Sequence, residues 1–131
     1  MRYVVEPASA SLAARRDVDR APLTDSLSAM SAALGACDLV MAAAADLRFH
    51  LAIAELGGNS GLQAIAQQFK AQLAFSLRLP FADRQNIWQP VDEHQAIVDA
   101  IAANNPESAR RAMQQHLLAA AQRVGISFTQ P

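Results

Sequence analysis

The chain has three histidines, and each stands among apolar residues at helical spacing. His50 follows Asp46 by four residues, so the two share one helix face a turn apart. His94 shares a face with Ile97, Val98 and Ile101, and His116 with Ala109, Met113, Leu117 and Ala120. A polar ring carried on an apolar face is buried when the helix packs, and a buried polar group needs a partner. Whatever fold this sequence adopts must therefore deliver partners to these rings. Two arrangements do so. Each ring can bond separately to a backbone carbonyl or carboxylate in the core. Alternatively, Asp46, His50, His94 and His116 converge on one divalent cation. Neutral imidazole with carboxylate suits zinc first, and also nickel, manganese or iron.

The rest of the chain is consistent with helices throughout. Alanine is abundant, glycine scarce, and β-branched runs are nearly absent. Glu6-Pro7 reads as a helix entry with proline at the first helical position, and that helix continues to about Arg16. Asp17, Asp19 and Pro22 mark a break, after which Leu23, Leu27, Met30 and Leu34 fall on one face. Gly35 to Asp38 is a second break, with Asp38 as N-cap of a third helix that ends at Gly57-Gly58. Asn59 or Ser60 can cap a fourth helix carrying Leu62, Ile65, Phe69, Leu73 and Leu77 and stopped by Pro80. Phe81 to Gln89 is irregular and holds the only tryptophan, Trp88. Pro90 opens a fifth helix, Asn105-Pro106-Glu107 a sixth, and Gly125 closes the last, leaving a loose tail. No internal repeat and no strand-like alternation is present. The expectation is one all-α domain over residues 1–131, an antiparallel bundle of about six helices around a central metal or ligand cavity.

Composition excludes several functions. With 131 residues, 52% of them hydrophobic, the chain can bury a core. Its formal net charge is −1 and its single lysine, Lys70, stands apart from scattered arginines, so it lacks the basic stripe of a nucleic-acid surface. One cysteine, Cys37, cannot form an intrachain disulfide and suits a reducing cytoplasm. No apolar run reaches the length of a membrane span, and the first residues lack a signal peptide's apolar core.

Three segments resemble the FCD domain, the C-terminal effector-binding domain of FadR-subgroup GntR-type transcription regulators. They are Arg2-Tyr3-Val4-Val5-Glu6-Pro7 with Leu12-Ala13-Ala14; Asp46-Leu47-Arg48-Phe49-His50 with Gly57-Gly58-Asn59 and Leu62; and His94 to Ile101 followed by Ala109, Met113 and His116-Leu117. The resemblance covers nearly the whole chain, and the Asp-x-x-Phe-His element is its most specific part. It implies an antiparallel helical bundle in which Asp46, His50, His94 and His116 hold a divalent metal. A small carboxylate metabolite would bind at that metal, with Arg2 and Asn59 as candidate ligand contacts. It also implies a homodimer. The winged helix-turn-helix that precedes this domain in the family's regulators is not in this sequence, so DNA contact is expected only through such a domain. Arg78, Arg84 and Trp88 are candidates for the cavity mouth or a dimer contact.

Two other readings compete. Three histidines and an aspartate could hold a hydrolytic zinc, with Glu55 or Glu93 as the base. A metal-free helical interaction domain would use the histidines only for packing. A ferritin-like di-metal centre is excluded, because no glutamate has a histidine three residues on.

Overall fold

The computed structural model describes residues 2–68, 70–71 and 87–123. Within these, six helices are present: α1 (Arg2–Ala14), α2 (Ala21–Gly35), α3 (Leu39–Leu56), α4 (Ser60–Gln68), α5 (Gln89–Ala102) and α6 (Pro106–Arg123). No strand occurs among the described residues. The all-α expectation holds. Phe69, Leu73, Leu77 and Pro80, Arg78 and Arg84, most of the Phe81–Gln89 stretch, Gly125 and the tail lie outside the described residues.

The periodic apolar positions are the buried ones. Leu23, Leu27, Met30 and Leu34 of α2 are buried together with Phe49 and Ile53 of α3, Ile97 and Ile101 of α5, and Met113 and Leu117 of α6. α2 and α3 form one antiparallel hairpin and α5 and α6 another; α1 packs against α6, α3, α5 and α4. α1 can be this enclosed because its buried face is mostly small: Ser9, Ala10, Ser11, Ala13 and Ala14 let neighbouring backbones approach. The approach is closest at Gly57, where a methyl group would stand 3.0 Å from the Ser9 carbonyl oxygen.

One boundary differs from the sequence reading. α1 starts at Arg2, so Pro7 lies inside the helix rather than at its first position. The missing N–H leaves one turn without its usual bond. Burial of Tyr3, Val5 and Glu6 on the preceding turn holds that turn in helical form all the same.

The two hairpin turns share one construction. After α2, Cys37 takes a left-handed conformation (φ 57°), with its N–H donating to Leu34 O at 3.0 Å and Asp38 N–H to Ala33 O at 2.8 Å. After α5, Asn104 does the same (φ 54°), with N–H bonds to Ile101 O at 3.0 Å and from Asn105 to Ala100 O at 3.1 Å. The next residue in each case caps the following helix: Asp38 Oδ1 accepts from Met41 N at 3.0 Å, and Asn105 Oδ1 from Ser108 N at 3.1 Å. The left-handed residue in the first turn is Cys37, not the nearby Gly35. Long-range side chains close the ends of α3 and α1 and add to that of α5. Arg16 Nη1 donates to Leu56 O at 2.8 Å, Arg20 Nη2 to Ile101 O at 3.3 Å, and Asn104 Nδ2 to Ala14 O at 3.0 Å.

Candidate metal centre

The packing of α1, α3, α5 and α6 brings all three histidines to one buried point. Their ligand-capable nitrogens lie within 4.8 Å of one another, and His50, His94 and His116 are all buried. Asp46, 1% exposed, stands beside two of them. Its Oδ1 is 3.1 Å from His50 Nε2 and 2.8 Å from His94 Nε2. His116 Nε2 faces His50 Nε2 at 3.4 Å. Phe49 supplies an apolar wall, edge-on to His94 with ring centroids 4.4 Å apart.

Each ring is anchored by its outer nitrogen. His50 Nδ1 meets Glu6 Oε1, His94 Nδ1 meets the Pro90 carbonyl oxygen, and His116 Nδ1 meets Glu93 Oε1. All three anchors are acceptors, so every Nε2 is directed inward. Two of the carboxylates are backed by arginines: Arg2 Nε reaches Glu6 Oε2 at 2.6 Å, and Arg123 Nη1 reaches Glu93 Oε2 at 2.6 Å. Histidines that ligate metals are commonly held in this way by a partner on the second ring nitrogen.

This donor set is one hydrogen short at two rings. His50 and His94 each face an acceptor on both nitrogens, but a neutral imidazole has a single N–H. A cation among the Nε2 atoms and Asp46 Oδ1 would satisfy both. In its absence, a second proton does so at His50. Burial works against charge on His50, but Glu6 and Asp46 beside it raise its pKa to about 9. Burial likewise opposes ionisation of Glu6, yet His50 and Arg2 bring its carboxyl down to about 2. Asp46 is also held well below the usual carboxylate range against burial, by His94 and His50. His116 goes the other way, to about 4, because burial and the neighbouring His94 disfavour its cation.

Of the residues singled out from sequence, Asp46, His50, His94 and His116 are assembled. Arg2 reaches the cluster indirectly through Glu6, and its Nη2 is buried without a hydrogen-bond partner. Asn59 is exposed and caps α4, its Oδ1 accepting from Leu62 N at 3.0 Å. Neither candidate hydrolytic base stands at the inward nitrogens: Glu55 is exposed, and Glu93 holds the outer side of His116. Glu6, the Pro90 carbonyl and Arg123 were not expected at the site. For Glu6 one signal was present, an acid four residues after Arg2 on a helix otherwise made of small and apolar residues.

A groove of about 330 Å³ between α5 and α6, lined by Asp92, Glu93, Ala96, Ala112 and Ala119 among others, reaches His116. No helix among the described residues is long and apolar enough to cross a membrane.

Residues 1–119 match the FCD domain family. The HTH-type transcriptional regulator LutR of Bacillus subtilis is 30% identical over 124 residues, covering 89% of this chain and 56% of LutR. The Uxu operon regulator of Haemophilus influenzae is 36% identical over 80 residues, covering 56% of this chain and 29% of the regulator. The chain thus spans about half the length, or less, of these curated relatives. A solved structure, Streptococcus agalactiae GntR, superposes with a TM-score of 0.78 over 92% of this chain and 55% of that one, at 23% identity, and so shares the fold. Domains of this kind regulate and do not catalyse, which removes the hydrolase reading. The chain belongs to the FCD domain family, the regulatory domain of GntR/FadR-type transcription regulators.

Proposed function

We propose that this domain senses a small carboxylate metabolite at a divalent metal, zinc foremost, held by Asp46, His50, His94 and His116. The observation that carries the proposal is the inward aim of the three Nε2 atoms, those of His50 and His94 onto Asp46 Oδ1 and that of His116 onto His50 Nε2, while every Nδ1 is tied to an outside acceptor. Rings that served packing alone would not need to gather their Nε2 atoms around one carboxylate oxygen. The arrangement suits neutral imidazoles bound through Nε2, with tautomer and ring angle already set. When bound, the metal supplies a Lewis-acidic point for a carboxylate oxygen. Arg2 offers the anion a buried, unpartnered Nη2. Asn59 serves as a helix cap in this reading. The domain acts as a homodimer in the cytoplasm, within a regulator whose DNA contacts come from a winged helix-turn-helix. Binding is the whole of its chemistry.

Melting curves with and without chelator test the metal. Because metal held only by the folded state adds to folding free energy, chelator should lower the wild-type midpoint. The His94→Ala variant should melt at the same temperature in both conditions, having lost one ligand. A wild-type midpoint indifferent to chelator, with no heat of zinc binding in calorimetry, would sink the metal-sensor reading.

A further inference from the structure

Glu93 is not one of the four residues assigned to the metal, yet it meets the outer nitrogen of His116 at 2.6 Å. Arg123 grips both of its oxygens: Nη1 to Oε2 at 2.6 Å and Nη2 to Oε1 at 2.8 Å. One oxygen, Oε1, therefore receives donors from both Arg123 and His116. A guanidinium is always charged and has donors only, and this forked contact is the strong form of the pair. The carboxylate in its grip is an acceptor, so the His116 nitrogen opposite must carry the hydrogen. That leaves Nε2 with the lone pair, and Nε2 is the atom directed at His50.

The three rings are not anchored alike. His94 bonds to a main-chain carbonyl, which no side-chain substitution removes. Glu6, the anchor of His50, is held by a single arginine nitrogen. The anchor of His116 is made entirely of side chains and is clamped twice. It also joins the N-terminal part of α5, just past its first turn, to the last turn of α6. The Arg123 side chain is 7% exposed and that of Glu93 22%, so water competes little for these bonds.

We infer that Arg123 and Glu93 are positioning residues that fix His116 as the Nδ1–H tautomer, leaving Nε2 as its donor atom to a divalent cation. The inference rests on the metal reading above only for its effect on affinity; the tautomer is independent of it.

The test uses the 131-residue chain, with zinc alone as the probe, competed against a chromogenic chelator. Glu93→Gln should weaken zinc binding about 10- to 100-fold. Arg123→Gln should weaken it in the same direction, and Arg123→Lys, which keeps the charge but not the fork, should show a smaller loss. In the metal-free protein, imidazole ¹⁵N shifts should show wild-type His116 protonated at Nδ1, and a mixed tautomer in Glu93→Gln. If wild type and Glu93→Gln bind zinc equally and keep the same tautomer, the inference is overturned. If the wild type binds no zinc, the metal reading falls, and the tautomer comparison alone decides this one. Should Glu93→Gln fail to fold, wild-type His116 protonated at Nε2 would overturn it, as would an Arg123→Gln variant with unchanged tautomer.

Discussion

A neutral imidazole has one N–H, and both His50 and His94 face two acceptors. In the metal-free protein this sets a pH dependence whose sign follows group by group. The pKa of His50 is raised from 6.5 to about 9, so its contribution is complete below 6.5 and is lost as pH rises through 9. The pKa of His116 is depressed to about 4, so its contribution is present above 6.5 and is lost as pH falls toward 4. Glu6, depressed to about 2, loses its contribution as pH falls below 4.5. Together these place maximum stability near pH 6.5. Urea unfolding in chelator should show stability declining from pH 6.5 to 9; saturating zinc should abolish that decline, since the cation takes the place of the His50 proton. An alkaline limb identical with and without zinc would show that the proton and the cation do not share that site. The four cluster residues were legible in sequence because each sits at a helical spacing that declares its face. Glu6 and Glu93 were not. Their roles depend on which helix end comes alongside which ring, and that is fixed by packing. By spacing alone, Glu6 is an ordinary i, i+4 partner of Arg2, and Glu93 lies about a quarter-turn off the His94 face.

At the scale of elements, capping side chains mark the starts of α3, α4 and α6, and prolines in the first turn those of α2 and α5, which is why they could be read. Asp38, Asn59 and Asn105 all accept from the backbone N–H three residues on. Pro7 lies inside α1, although proline is commonest in the first turn. Here tertiary contacts of Tyr3 and Glu6 extend the helix upstream of it, which local preference cannot reveal. The turn after α2 falls within residues 35–38, as the sequence predicts, and its left-handed position is Cys37. A side chain there carries a penalty that glycine does not, about 1–2 kcal/mol. Cys37 is exposed, and what it contributes to the fold is its backbone conformation. Cys37→Gly should therefore raise stability, by about 1 kcal/mol in urea unfolding. The equivalent turn after α5 already has asparagine, which tolerates this region better, so Asn104→Gly should gain less. Cys37→Gly that lowers stability would mean its side chain makes a contact the turn geometry does not require.

Across the whole molecule, the cluster joins helices that are distant in sequence. Asp46 and His50 come from α3, His94 from α5 and His116 from α6, while α1 reaches the rings through Glu6. A ligand bound only by the folded state stabilises every opening that destroys its site, and leaves untouched any opening that spares it. α4 supplies no cluster residue, and among its described residues only Ala66 is buried. The amides of α4 should therefore exchange through local opening, and those around Asp46, His94 and His116 through openings that break the cluster. Zinc at 100 times its dissociation constant should slow hydrogen exchange in the buried turns of α3, α5 and α6 by up to about 100-fold. The buried face of α1 should follow them, because Glu6 must leave His50 for that helix to open. Exchange in α4 should change little. Equal protection of α4 would show that it opens only with the rest of the bundle. Protection confined to α3, with α1, α5 and α6 unchanged, would mean that zinc sits on the Asp46–His50 pair alone and the convergence of helices on one ion would be refuted.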